Sequence, residues 1–167
     1  MIRINFVIDN FLDVDTTTLT GYDFSGMNLH RAILNEFCLD GTIFKNAHLR
    51  NILIQYTSAK NAVFYQAALM NALLNNSDIS GGDFRRSKPI GANFEQCILI
   101  KANFNNADVW HANFSGANLC GANLLFKRYE GINITNALFD KNTLWPDGFD
   151  PILNGAVYND ADKQDFY

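Results

Sequence analysis

The chain has 167 residues, of which 48% are hydrophobic, and its formal net charge is −4. This length suits one domain, and the hydrophobic content excludes a disordered chain. No apolar run reaches the roughly 18 residues that a membrane helix needs, and the first ten residues lack the pattern of a secretion signal. Three cysteines give neither a disulfide framework nor a CxxC metal pair. We therefore expect a cytoplasmic protein without a membrane partner.

The N-terminal segment has the pattern of a strand. Between Met1 and Asp9, hydrophobic residues alternate with mostly polar ones, beginning with Ile2, Ile4 and Phe6. Stacked repeats expose unpaired backbone at their ends, and such ends need a cover. We therefore interpret residues 1–20 as a cap on the repeats that follow.

From residue 21 to residue 145 the chain repeats every five residues. The fourth position of each pentapeptide is Phe, Leu, Ile or Val at 22 of 25 places, and the second is a small residue at 18 of 25. The first position is Gly or Asn at 15 of 25 places. These two residues accept the positive φ that the third residue of a type II turn requires. The pattern predicts two inward columns of side chains, one large and one small, with a turn between successive pentapeptides.

A second period of 20 residues indicates how the pentapeptides are arranged. Every fourth pentapeptide places a large apolar residue in one series: Phe24, Phe44, Phe64, Phe84, Phe104, Leu124 and Leu144. A period of five fits neither a helix nor a strand, so the repeat itself must be the structural unit. We predict an all-β solenoid in which four pentapeptides form one square coil. We call its faces first to fourth, in the order of the pentapeptides that begin at residues 21, 26, 31 and 36.

The pentapeptides GANFE, KANFN, HANFS, GANLC and GANLL, all between residues 91 and 125, resemble the motif A-[DN]-[LF]-x-x of the pentapeptide-repeat family. The resemblance extends over residues 21–145. It implies one structural domain, a right-handed quadrilateral β-helix of about six coils that is capped at both ends. The segment TLWPDGFDP, residues 143–151, is similar to an ending found notably in cyanobacterial members. It suggests a source of that kind and predicts that residues 146–167 form a C-terminal cap and tail.

The second face departs from the pattern at Pro89 and Lys127. Lys127 stands where a small inward residue belongs, so we expect a bulge that lets its ammonium group reach water. Pro89 has no N–H to donate to the next coil. Whether this irregular segment is a functional loop stays open. On the same face Lys88, Asp108 and Arg128 share one outward column, which predicts a ladder of alternating charges.

The sequence shows no constellation for catalysis or for cofactor binding. His30 and His48 lie on one face in adjacent coils, but no third metal ligand lies near them in the pattern. Cys97 belongs to the small inward column and is typical of a packed core thiol. The carboxylates stand singly in outward columns, without a paired general acid and base. We therefore predict a non-enzymatic protein with no metal and no cofactor.

The charge of the repeat region tests a function known in the family. Some members bind type II topoisomerases such as gyrase by imitating DNA, which requires a negative rod. Residues 16–145 contain nine acidic and eleven basic residues, a net of +2. Such a field does not imitate phosphates, so a DNA-mimicking gyrase-binding regulator is kept only as the alternative. Because the basic runs fit the predicted charge ladder, no nucleic-acid partner is expected.

Two apolar stripes in outward columns favour a protein partner. Three aliphatic residues of the third face precede three asparagines in the same column: Ile33, Leu53 and Leu73. The second face carries a further set at the fifth position of consecutive coils: Met70, Ile90 and Trp110. Exposed aromatic and aliphatic side chains of this kind are typical of contact patches, although they also suit exposed strands. We predict a non-catalytic protein–protein interaction module of unknown partner, either a monomer or a homodimer.

Overall fold

The computed structural model describes residues 1–8 and 10–160. Within them the backbone forms five short strands: β1 (Ile2–Phe6), β2 (Phe11–Val14), β3 (Ala32–Ile33), β4 (Leu138–Phe139) and β5 (Val157–Tyr158). Turns and single-residue bridges make up most of the remaining chain. In this described part, no helix is both long and apolar enough to cross a membrane. Asp9 and the end of the predicted C-terminal tail, residues 161–167, lie outside it.

The N-terminal segment forms a hairpin that lies on the start of the repeats. Strands β1 and β2 pair in antiparallel fashion, and the guanidinium of Arg3 donates two hydrogen bonds of 2.8 Å to the carboxylate of Asp13 across the pair. Strand β1 also pairs antiparallel with β3, so that Asn5 lies opposite Ile33. The side chain of Ile4 is fully buried between the hairpin and the first repeats.

Successive coils are joined by parallel bridges between residues 20 apart. The series on the first face begins with Asp23–Ile43 and continues through Ile43–Val63, and the other three faces carry equivalent series. Each bridge is one residue wide, because the chain turns a corner every five residues. The spacing of 20 residues equals the length of four pentapeptides. Strands β4 and β5 extend the same parallel pairing to residues 157 and 158.

The corners of the coils lie where the composition predicts them. The first residue of the pentapeptide has positive φ at every place from Gly21 to Gly121. In a representative corner the amide of Ala32 donates to the carbonyl of Leu29 over 3.1 Å, which makes the intervening Arg31 (φ 63°) the third residue of a turn. Glycine and asparagine adopt this conformation at little cost. Seven of the 22 asparagines occupy such corners, so turn chemistry accounts for part of the high asparagine content.

The two inward columns fill the interior of the coils. On the first face the phenylalanine rings from residue 24 to residue 104 stack with centroids 4.4–5.4 Å apart. Phe94 and Phe114 of the third face stack at 4.8 Å and meet the first-face rings edge-on. The second position is a buried alanine in 12 of the 25 pentapeptides. Large and small side chains thus interlock across a core without an open channel.

Where the small column contains a hydroxyl or a thiol, the side chain bonds to a backbone carbonyl, usually one of the preceding coil, and Ser87 bonds within its own coil. Thr42 donates to the carbonyl of Leu19 over 2.7 Å, and Ser77 donates to the carbonyl of Ile54 over 2.7 Å. The thiol of Cys97 occupies the equivalent site, 3.0 Å from the carbonyl of Leu74. Small polar side chains are therefore accepted inside the solenoid because each one finds a partner.

The predicted bulge at Lys127 is present in the structure. Lys127 is exposed, and the neighbouring Phe126 turns inward, with its ring centroid 6.1 Å from those of Phe104 and Phe114. The chain has no positive φ at Phe126, so the usual corner is missing here. Burying an ammonium group without a partner costs about 3–5 kcal/mol. The chain therefore presents the phenyl ring of Phe126 to the core instead.

The last repeat corrects one sequence prediction. Asn123 forms its bridge with Leu144, a spacing of 21 residues instead of 20, and Leu144 is 50% exposed although its place in the series predicted an inward side chain. Thr143 is buried instead, and its hydroxyl donates to the carbonyl of Leu119 over 3.0 Å. The carboxylate of Asp140 accepts hydrogen bonds from residues 121 and 142 and so holds a longer corner. This corner takes up the extra residue.

Truncating the phenylalanine stack in its middle should destabilise the fold strongly. Phe64 is fully buried between Phe44 at 5.1 Å and Phe84 at 4.6 Å. We expect Phe64→Ala to lower the free energy of unfolding by about 3–5 kcal/mol, measured by chemical denaturation. Ile98→Ala, at a 41% exposed bridge position, is the control and should cost about 0.5 kcal/mol or less. Equal losses in the two variants would contradict the assignment of the inward column.

The cysteines should differ in reactivity. Burial raises the pKa of the Cys97 thiol to about 12, so at pH 8 this group is protonated and does not act as a nucleophile. Cys38 is exposed. In the native protein, we expect iodoacetamide at pH 8 to modify Cys38 and to spare Cys97, as read by peptide mass spectrometry. Modification of Cys97 should require denaturant, and labelling of Cys97 at the rate of Cys38 would show that the small column is open to solvent.

Candidate functional site

The aliphatic stripe of the third face continues from the N-terminal hairpin. Bridges join Ile33 to Leu53 and Leu53 to Leu73, and Ile33 pairs on its other side with Asn5 of β1. Ile33 and Leu53 are half-buried, and Leu73 is 37% exposed. The hairpin therefore covers the beginning of this stripe, and the accessible apolar surface lies mainly at Leu53 and Leu73.

The asparagines that follow in the same column form a different surface. The amide of Asn113 donates to the side-chain oxygen of Asn93 over 3.2 Å, and each of the two side chains also accepts a hydrogen bond from a backbone amide two residues further along. Their polar groups are thus engaged with the protein itself. The column changes between Leu73 and Asn93 from an apolar surface to a ladder of bonded amides.

The set on the second face centres on Trp110. Its indole is 40% exposed, whereas Met70 and Ile90 are half-buried in the preceding coils. The guanidinium carbon of Arg128 lies 5.0 Å from the indole centroid, and the ring of His111 lies 4.3 Å away. Both contacts hold the indole in place while one part of it stays in water. Trp110 is thus a rigid exposed aromatic side chain.

The predicted charge ladder on the second face forms only in part. Arg128 donates two hydrogen bonds, of 2.8 and 2.9 Å, to the two carboxylate oxygens of Asp108. Lys88 takes part in none of the ion pairs among the described residues. The ladder fails at Lys88 because Arg128 already occupies both oxygens and because Pro89 has no N–H with which to bridge the adjacent coil.

The contact between Arg128 and Trp110 was not predicted from the sequence. The available signal was the period of 20, which places residue 128 directly beside residue 108, two positions before Trp110 on the same face. An arginine beside an exposed indole stacks on it. The same guanidinium thereby binds a carboxylate and supports the aromatic side chain.

The two candidate sets lie on either side of one corner of the coil. Met70 ends a pentapeptide of the second face, and Leu73 is the third residue of the next pentapeptide. The corner between them closes with a 3.0 Å hydrogen bond from the amide of Ala72 to the carbonyl of Leu69. We call the surface formed by the six residues the apolar edge: Ile33, Leu53, Leu73, Met70, Ile90 and Trp110. It runs along one corner of the solenoid, from the third face near the hairpin to the second face at Trp110.

Three of the nine carboxylates between residues 16 and 145 are paired with cations. Asp83 binds Arg85 at 2.8 Å, Asp78 lies 3.2 Å from Lys60, and Asp108 binds Arg128. Partial burial opposes ionisation of Asp83, but the hydrogen bonds and charge of Arg85 outweigh it and lower its pKa. Each of these three carboxylates is thus paired with a neighbouring cation. They do not present a row of free negative charges.

The described residues contain no group of three or more His, Cys, Asp and Glu side chains arranged to hold a metal ion. His30 and His48, the pair considered from the sequence, thus gain no third ligand among them. All three cysteines are free thiols.

Comparison with known proteins agrees with the repeat pattern. The family model for pentapeptide repeats, in 8 copies, matches residues 17–46 and 90–124. No curated protein is detectably similar to the chain in sequence.

Several solved structures resemble this one. The pentapeptide repeat protein Rfr23 of the cyanobacterium Cyanothece 51142 is 23% identical, with a TM-score of 0.50 over 77% of this chain and 87% of that one. A pentapeptide repeat protein of the Arabidopsis thaliana thylakoid lumen is 26% identical, with a TM-score of 0.42 over 62% and 65% of the two chains. QnrB1, a plasmid-mediated fluoroquinolone resistance protein, is 20% identical, with a TM-score of 0.47 over 89% and 90%.

The corners at every fifth residue, the bridges at every twentieth and the match to the family model point to one conclusion. Together they support the assignment of this chain to the family of pentapeptide-repeat proteins.

Proposed function

We propose that this protein is a non-catalytic interaction module that binds a protein partner through the apolar edge. The observation that carries the proposal is Trp110, an indole that is 40% exposed and yet fixed by Arg128 and His111. Tryptophan and arginine dominate the binding energy of protein interfaces when they stand in a preformed arrangement. Because the indole is already held in place, a partner would lose little conformational entropy on binding it.

A single tryptophan offers too little apolar surface for a protein interface, and the neighbouring residues add to it. Leu73, which is 37% exposed, and Met70 flank the same corner, and Ile90 connects them to Trp110. Aliphatic and aromatic side chains contiguous along one edge are the composition of an interface core. The bonded asparagines beyond Leu73 provide a polar border. Pentapeptide-repeat proteins are generally non-catalytic, which agrees with a binding role.

We also propose the handedness, the number of coils and the caps of the repeat structure. The chain forms a right-handed quadrilateral β-helix of about six coils, with residues 1–20 as the N-terminal cap and residues 146–167 as the C-terminal cap and tail. The pairing of β1 with β3 supports the first cap, and the pairing of β4 with β5 supports the second. Three free thiols support a reducing compartment, such as the cytoplasm.

The alternative function, DNA mimicry toward gyrase, gains no support from the surface. Three of the nine carboxylates between residues 16 and 145 are neutralised by ion pairs, and cations outnumber acids there by two. A mimic of DNA needs closely spaced free negative charges along the rod. We therefore do not propose it.

The interaction module is tested by capture with matched variants. A lysate of the source organism is passed over the parent protein and over Met70→Gln/Ile90→Gln/Trp110→Gln, and a captured partner is purified for affinity measurement. We expect the triple variant to raise the Kd at least tenfold, about the effect of removing a hot spot. Ile98→Asn is the control, since it removes a 41% exposed aliphatic side chain from the fourth face.

The third-face part of the edge is tested separately. Leu53→Asn/Leu73→Asn extends the natural column of asparagines and leaves Ile33 in its pairing with the hairpin. A loss of affinity in this variant would extend the binding surface across the corner. A partner that binds the parent, the two edge variants and Ile98→Asn with equal Kd would overturn the assignment of the apolar edge.

A further inference from the structure

A concave site of about 450 Å³ lies on the second face, beside the apolar edge. It extends over three successive coils, and its lining residues are Arg86, Ser87, Lys88, Asn106, Asp108 and Lys127. We call it the basic depression. It has no role in the interaction proposed above, and it is argued from different residues.

Two sequence irregularities are found at this site. At Lys127, a residue of the small inward column is turned out to water, and its amide bonds to the carbonyl of Ala107 over 2.8 Å. At Pro89, the parallel bridge that would join Lys88 to Asp108 is absent, although bridges precede and follow it on the same face. The regular surface of the solenoid is thus interrupted in adjacent coils, at the place where the depression lies.

The charge in the basic depression is strongly positive. The side chains of Arg86, Lys88 and Lys127 are exposed, and none of them enters an ion pair or a hydrogen bond with the described residues. The only carboxylate of the lining, that of Asp108, is bound through both oxygens to Arg128. Three cations therefore face one concavity without a counter-charge of their own.

We propose that the basic depression binds the phosphate group of a small phosphorylated molecule. A phosphate monoester carries a charge of about −1.5 to −2 at pH 7 and three acceptor oxygens, which suits one guanidinium and two ammonium groups better than a single carboxylate would. Arginine binds such a group through its planar fork, and lysine binds it as a point charge. The volume of the site falls within the range of about 300–1,000 Å³ that is usual for small-molecule sites.

The surroundings disfavour an extended polyanion. A nucleic acid strand needs a continuous track of free cations along its backbone. Arg85, next to the depression, is held by Asp83 through two hydrogen bonds of 2.8 and 2.9 Å, and Arg128 is held by Asp108. These two neighbouring cations are therefore neutralised, and the size of the depression matches a compact ligand.

The test is calorimetric titration of the full chain with inorganic pyrophosphate and with inorganic phosphate at low ionic strength, where such binding is least screened. We expect saturable binding of both, with pyrophosphate tighter. Lys88→Gln and Arg86→Gln should each weaken binding about tenfold, the factor that 1.4 kcal/mol produces. Arg50→Gln is the matched control, because it removes one exposed positive charge of the same face outside the depression and should change the affinity less than twofold.

A second variant tests whether a loss of ligand binding occurs without a loss of stability. Lys127→Ala removes a cation and supplies the small residue that the inward column normally contains, so the fold should tolerate it. We expect an unchanged melting temperature or a higher one, together with a loss of pyrophosphate binding of about tenfold or more.

The pH dependence of the affinity distinguishes recognition of a phosphate dianion from nonspecific attraction to positive charge. The second ionisation of a phosphate monoester has a pKa of about 6, so the affinity for glycerol phosphate, a simple monoester, should rise about fourfold between pH 5.5 and pH 7.5 while lysine and arginine stay charged. The proposal is overturned if pyrophosphate does not bind at millimolar concentration, or if Arg50→Gln weakens binding as much as Lys88→Gln does. It is also overturned if a single-stranded ten-nucleotide DNA binds more tightly than pyrophosphate, since the site would then belong to a nucleic acid.

Discussion

The structure depends on the requirement that every pentapeptide place two side chains inside the coil and then turn a corner with positive φ. The interior is filled by stacked rings whose centroids lie 4.4–5.4 Å apart, and by alanines beneath them, so it has no space for a long or charged side chain. Hydroxyl groups enter because each finds a backbone carbonyl, as Thr42 does at Leu19 of the preceding coil. A residue that meets neither condition must leave the coil, and the local backbone changes with it.

The predictability of the fold follows from this requirement. The residue types found at each position of the pentapeptide predict the corners and the inward columns. This is possible because every repeat imposes the same steric requirement at the same position. Lys127 could be identified as an exception for the same reason, since an ammonium group in the small column contradicts the demand directly. The pairing of the hairpin with β3 was foreseeable only in outline, because alternation predicts a strand and not its partner.

The shift in the last repeat shows where periodic reasoning fails. Leu144 is apolar and falls on the series of the first face, so counting alone places it inside. In the structure the hydroxyl of Thr143 takes the inner site, while Asp140 holds a corner with one additional residue. A single insertion within a turn changes no pattern upstream, and the competing residue, threonine, also occupies the small column at Thr42 and Thr57. Side-chain hydrogen bonds, which the periodicity does not reveal, determine that Thr143 and not Leu144 lies inside.

Surface sites were less predictable than the core because they depend on which neighbour a flexible side chain selects. The period of 20 places Lys88, Asp108 and Arg128 in one column, but it does not say which cation binds the carboxylate. The structure pairs Asp108 with Arg128 through two hydrogen bonds, and this choice has two consequences. It leaves Lys88 free in the basic depression, and it brings the guanidinium against the indole of Trp110.

One ion pair therefore links the two surfaces of the second face. If Arg128 were removed, the carboxylate of Asp108 would remain in the lining of the basic depression as an unpaired anion beside Lys88 and Lys127. Its charge would then oppose that of an incoming phosphate, and Trp110 would lose the guanidinium that lies 5.0 Å from its ring. Arg128 thus acts on the depression by neutralising a carboxylate and on the apolar edge by supporting an aromatic ring. Both effects follow from the period of 20, which brings residues 108 and 128 side by side on adjacent coils.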